Sequence, residues 1–349
     1  MYKRIGNWTI WLFLGIIAIN MFTVTAAIGG VCAGLFVVLI PSWPLAIETT
    51  VVVLLALTYF LLLLGGFRVL NIFIKGLSIV LLFSVTAVFI ALLFSKSQSS
   101  FPTADSGSAL LEGSGLALLV SLLGWMPAGM EASVMNSIWV VRRSRDKKQS
   151  LQDVMFDFRS GYLFTGLLAL LFLAIGALAV YGTGMQLEGN SIAFTAALMA
   201  IFTGQLGVWS HWFFGLAAFA TIYGTLIVVL DAFARCMVQA IALLKDTDTA
   251  IQESKESRPP SHKSAMLIIA IGASLLFIFL RTDMIKMLEL ATTIAFVCTP
   301  VIAYLNYRSI TSMDAALHGL SARTLSFARI CLFLLALFSL YYISVSILT

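Results

Sequence analysis

Five residues of one apolar stretch, Gly124, Met126, Pro127, Gly129 and Glu131, carry the chain's most concentrated chemical potential. Pro127 lacks a backbone donor and clashes with the preceding turn, so a helix running through it bends or breaks. Gly124 and Gly129 loosen the same turn. Glu131 follows within one turn, inside apolar sequence, where an ionisable side chain is expensive and is read first as functional. A helix broken at membrane depth frees carbonyls whose partial negative charge attracts cations, and Met126 adds a soft sulfur beside them. The plainer alternative is a packing kink with Met126 as filler.

The elements that position this stretch follow from composition. Of 349 residues, 60% are hydrophobic and 11% charged, and the mean hydropathy is +1.02. That balance excludes a soluble domain and predicts an all-α polytopic membrane protein. Nine spans are expected, near 9–35, 45–66, 69–94, 114–141, 160–183, 211–242, 265–281, 284–305 and 325–348, in a single transmembrane domain over 1–349. A membrane-crossing helix needs about 20 apolar residues. A short surface helix is expected at 191–202.

Lys and Arg orient the spans. The basic loops at 142–159, 245–263 and 306–323 share one side when the N-terminus is cytoplasmic. The opposite loops at 41–44 and 184–208 carry no Lys or Arg, and only Lys96, Arg281 and Lys286 fall outside. The positive-inside rule then places the N-terminus in the cytoplasm and the C-terminus outside. The Arg142–Lys148 segment also suits anionic lipid.

Other candidates are weaker. Asp231 and Arg235 are four apart on one helical face, which favours a structural ion pair over gating. Asn20, Thr23 and Thr292 are polar residues in apolar spans, suited to interhelical hydrogen bonds or to lining a pathway. His211 reads as interfacial, and His262 and His318 as loop residues without chemistry. Cys32, Cys236, Cys298 and Cys331 show no paired spacing, so neither a disulfide framework nor a Cys metal site is expected. Nothing points to a nucleic-acid partner, a resident cofactor or an enzyme: there is no His cluster and no carboxylate pair on one helix. The oligomeric state is not legible.

The motif Gly-Trp-Met-Pro-Ala-Gly-Met-Glu-Ala-Ser from Gly124, followed by Asn136-Ser-Ile-Trp, resembles the sixth helix of the Nramp divalent-metal transporters, and more closely a bacterial Nramp-like branch. Met126 and Pro127 match the family's Met-Pro-His, with Ala128 in place of the His. Thr225-Leu-Ile-Val-Val-Leu-Asp-Ala-Phe-Ala-Arg resembles the branch's eighth helix, and Glu289-Leu-Ala-Thr-Thr-Ile-Ala-Phe the tenth. The resemblance implies a LeuT-type inverted-repeat fold and transport of a divalent cation such as Mn²⁺ or Fe²⁺, with proton linkage an open point. It implies ion binding by Met126, by carbonyls including that of Ala128, with Glu131 close by and Thr292 standing where the family often has a Gln. Asn20 and Thr23 stand where the main family has acidic residues tied to proton movement. It also implies a bacterial inner membrane.

Under this resemblance the chain begins at the third family helix. The fold is then N-terminally incomplete, without the family's Asp-Pro-Gly break. A misplaced or truncated start is the favoured expectation, ahead of lost transport. Two alternatives stay open: a LeuT-fold carrier of a small organic solute, and a non-transporting partner subunit or decayed transporter.

Overall fold

A computed structural model describes residues 2–64, 67–94, 113–125, 129–146, 150–179, 190–245, 260–280, 284–312 and 320–348. Met126, Pro127, Ala128, Arg281, Lys96, His318 and the Lys147–Lys148 pair lie outside them, and the side chains of Arg142, Arg143 and Arg145 are likewise not described. The described residues are helical and contain no strand. In chain order the helices are α1 (Tyr2–Ile5), α2 (Asn7–Leu39), α3 (Ile47–Leu63), α4 (Phe67–Phe94), α5 (Gly113–Trp125) and α6 (Ala132–Asp146). There follow α7 (Leu151–Ala179), α8 (Ser191–Leu206), α9 (Ser210–Leu244), α10 (Pro260–Phe279), α11 (Met284–Thr311) and α12 (Ala322–Leu348).

Among the described residues six helices are long and apolar enough to cross a membrane: Asn7–Leu39, Gln152–Leu178, Ser210–Leu244, Pro260–Phe279, Ile285–Thr311 and Ala322–Val345. The chain is therefore an integral membrane protein with several spans. Nine spans were expected. The difference arises because α3 has 17 residues, the described apolar part of α4 is Ile79–Phe94, and the stretch at 114–141 is divided into α5 and α6.

The axis of the molecule is α2. Its 33 residues carry no charge, and it packs against α3, α8, α9, α10 and α11. Two thirds of its most apolar window, 67%, is covered by protein, against 6% for α7 and for α12. The first helix is therefore central and the other two are peripheral, with Phe164, Leu170, Phe327 and Phe333 presented outward to lipid. The main core joins Ile17, Val24, Ala27 and Cys32 of α2 with Leu55 of α3, Leu226, Leu230 and Phe233 of α9, and Met266 and Ile269 of α10.

Close helix approach depends on small residues, as is usual where no water drives packing. A Cβ on Gly34 of α2 would lie 2.7 Å from the Ser191 carbonyl and 2.9 Å from Thr195 Oγ1 of α8. Ser191 and Thr195 are buried. This corrects the expectation of a surface helix at 191–202: α8 packs on α2 and α9 and is capped by the Asn190 side chain, which accepts from the Ile192 N–H at 2.9 Å. After α2 the chain turns at Pro41 and Pro44. There Trp43 Nε1 donates to Thr50 Oγ1 at 2.9 Å and its ring meets Phe36 edge-on. Within α11, Pro300 removes the donor that would reach the Phe296 carbonyl, a helix defect the sequence reading passed over.

Candidate functional site: a divided helix against α11

The 114–141 stretch is two helices. α5 ends at Trp125 and α6 begins at Ala132. At about 1.5 Å per residue neither reaches across a ~30 Å hydrocarbon core. The three described residues between them form a turn that starts α6. The Ala132 N–H donates to the Gly129 carbonyl at 3.0 Å, the Ser133 N–H to Met130 at 3.1 Å, and the Val134 N–H to Glu131 at 3.0 Å. Ser133 Oγ caps the same turn by donating to the Met130 carbonyl at 2.6 Å.

Glu131 is 6% exposed. Its carboxylate hydrogen-bonds its own backbone N–H and folds over Gly129, where an added Cβ would lie 2.7 Å from both carboxylate oxygens. Glycine at 129 is thus what leaves room for the carboxylate. Its position at the start of α6 also puts it at the positive end of that helix. Cys236 of α9 and Cys298 of α11 lie within its electrostatic reach. Neither cysteine was singled out in the sequence, because an isolated Cys in an apolar span gives no spacing signal. All four cysteines are free, and no group of three His, Cys, Asp or Glu among the described residues converges as a metal centre.

Opposite the end of α5 stands α11. A Cβ on Gly124 would overlap the Thr292 carbonyl oxygen, so only glycine allows these backbones to touch. The structure thereby brings together Gly124 and Thr292. Thr292 is 8% exposed, and its hydroxyl donates back to the Leu288 carbonyl at 2.7 Å.

The remaining sequence candidates sit elsewhere. Asn20, midway along α2, is fully buried, and among the described residues neither amide atom has a hydrogen-bond partner. Such a group is uncommon and marks a place worth attention. Thr23 Oγ1 donates to the Ile19 carbonyl at 3.2 Å and is occupied within its own helix. Asp231 and Arg235 of α9 pair bidentately, Nε to Oδ2 at 2.6 Å and Nη2 to Oδ1 at 3.2 Å. His262 joins them, its Nε2 3.1 Å from Asp231 Oδ1. This corrects the reading of His262 as an idle loop residue: it lies in the first turn of α10 and is 0% exposed. The signal that could have found it is Pro260, since proline favours the first position of a helix.

A second interhelical set was also not anticipated. Tyr2 Oη of α1 donates to Asn306 Oδ1 of α11 at 2.7 Å, and Asn306 Nδ2 donates to Ser133 Oγ of α6 at 2.9 Å. Tyr2 packs edge-on against Phe13, and burial raises its hydroxyl pKa above the ordinary value. Beyond Ser133, a cavity of about 410 Å³ separates α6 from α7, lined by Asn136, Trp139, Asp157, Phe158, Tyr162 and Thr165.

No protein-family model matches the chain. A search of curated proteins finds "Uncharacterized protein PM0681" of Pasteurella multocida (strain Pm70), 32% identical over 349 residues, an alignment that covers 98% of this chain and 77% of the relative. With that identity over an alignment covering nearly the whole chain, the protein belongs to the same family as the Pasteurella multocida protein PM0681.

Proposed function

We propose that the protein is a secondary transporter of divalent metal cations of the Mn²⁺/Fe²⁺ type, with Nramp-like, LeuT-type architecture and alternating access. The observation that carries the reading is the division of α5 from α6, with the buried Glu131 carboxylate at the start of the second half. Irregular backbone and a carboxylate inside an apolar bundle are costly. They persist in membrane proteins chiefly where a cavity or ion path uses them. Met126 and the Ala128 carbonyl supply ligands in this reading, as the resemblance implies. Glu131 draws the cation in, and Asn20, with its unpartnered amide, lines the approach. Asp231 and Arg235 hold α9 in place rather than touching the ion. The concentration of Lys and Arg in the loops at 142–159, 245–263 and 306–323 supports a bacterial inner membrane with the N-terminus cytoplasmic.

Uptake of Mn²⁺ into proteoliposomes tests the reading, with protein expressed from its complete native reading frame. The expected result is saturable uptake that Glu131→Gln lowers at least about ten-fold, equivalent to about 1.4 kcal/mol, at unchanged protein amount. Parent-level uptake by the variant would remove Glu131 from the site. Failure to move Mn²⁺ or Fe²⁺, with uptake of an amino acid instead, would transfer the protein to the organic-solute carriers.

A further inference from the structure

α11 touches both halves of the divided helix. Its Thr292 backbone meets the last turn of α5 at Gly124, and its Asn306 amide meets the first turn of α6 at Ser133. The two contact points are 14 residues apart, ~21 Å along one helix. Whatever fixes Asn306 against Ser133 therefore fixes α6, and with it Glu131, relative to α5. The Asn306 side chain has one acceptor and one donor edge, and both are engaged. The oxygen accepts from Tyr2 Oη and the nitrogen donates to Ser133 Oγ. The Ser133 hydroxyl donates in turn to the Met130 carbonyl, inside the turn that precedes α6. The chain of bonds thus runs unbroken from α1 through α11 to the residue before Glu131. Its members are 304 and 173 positions apart in sequence, so local helix formation does not account for it.

We infer that Asn306 is a positioning residue for the divided helix, and that the Tyr2–Asn306–Ser133 chain is a latch that must open when α6 swings away from α11. The inference rests on the transport reading for its purpose, but the latch is measurable without transport. It closes at the end of α11 where Arg308 stands in the last turn, on the same side as Lys3 and Arg4. With the N-terminus cytoplasmic, this is the cytoplasmic side. Opening would expose the segment around Cys298, a half-buried residue of α11 within electrostatic reach of Glu131.

The test is the rate at which a small maleimide modifies Cys298 in full-length protein in liposomes, with Cys32, Cys236 and Cys331 replaced. Tyr2→Phe removes one hydroxyl and keeps the ring against Phe13. Ser133→Ala removes the other end, and Asn306→Ala removes the centre. Interhelical hydrogen bonds in membranes are individually modest, so each variant is expected to raise the Cys298 rate about three- to ten-fold. Because the bonds form one chain, Tyr2→Phe combined with Ser133→Ala should raise it by less than the product of the single effects. A parallel version retaining only Cys32, buried on α2, should show no change. Equal acceleration at Cys32 would mean general loosening and would overturn the latch, as would Cys298 rates unaltered in all variants. Should Asn306→Ala fail to fold, Tyr2→Phe decides the question alone. Absence of metal uptake with an accelerated Cys298 would sink the transport reading and leave the latch standing. Uptake with unaltered Cys298 would do the reverse.

Discussion

Replacing Gly124 with alanine is expected to weaken the protein by about 1–3 kcal/mol, and replacing it with valine by more, through overpacking alone. The added Cβ falls on the Thr292 carbonyl oxygen. That obstacle is backbone in the middle of a helix and cannot rotate aside as a side-chain end would. α5 must then move away from α11, its main partner. The displacement also parts Leu116 and Val120 of α5 from Phe296 of α11, the third apolar cluster of the molecule. Thermal unfolding in detergent measures the loss. Gly161→Ala is the control, since a Cβ there meets nothing within 4 Å. Wild-type stability in Gly124→Ala would show that the α5–α11 contact is looser than the structure has it. A second consequence separates packing from transport: if α5 and α11 hold the ion path between them, uptake falls at temperatures where the variant is still folded.

That contact illustrates what the sequence could and could not disclose. The division of the 114–141 stretch falls where the sequence concentrates local break signals, Pro127, two glycines and a carboxylate within eight residues. The partner of Gly124 was not legible, for an α11 residue 168 positions away leaves no mark on the sequence around 124. Thr292 stood out only as a polar residue in an apolar span and through the Nramp resemblance, neither of which points to Gly124. The burial of α8 was hidden for a similar reason. Its 16 residues are too few to span a bilayer, so length alone argued for the surface. What buries it is the groove that Gly34 opens on α2. His262 was obscured by its neighbours, since Pro259, Pro260 and Lys263 read as linker. Yet the helix starts at Pro260, and its first turn points the imidazole inward to Asp231. The latch is the extreme case, with polar residues of ordinary type made significant only by folding. Periodicity and breakers gave elements, and tertiary contact chose which polar residues matter.

The second large effect is expected at the buried ion pair. Arg235→Met is predicted to cost about 3–5 kcal/mol, because it strips Asp231 of its bidentate partner and leaves a carboxylate in an apolar bundle. Arg235 is 4% exposed, and the Asp231 side chain 15%. The carboxylate keeps His262 at 3.1 Å, so one polar contact of the cluster survives the replacement. Asp231→Leu is expected to be at least as harmful, since it removes the one carboxylate that both the Arg235 guanidinium and the His262 Nε2 contact. The informative variant is the double replacement, Asp231→Leu with Arg235→Met. Removing both charges removes the desolvation cost as well as the attraction, and stability should return to within about 1–2 kcal/mol of the parent, the deficit reflecting the His262 ring left without its acceptor. Adding His262→Leu should recover most of that remainder. Detergent melting curves of the single, double and triple variants decide it. If the double variant is as unstable as Arg235→Met, the cluster is held by more than its own charges. If the double variant is stable but uptake is lost, Asp231 and Arg235 act in the transport cycle, not only as the fastening between α9 and α10.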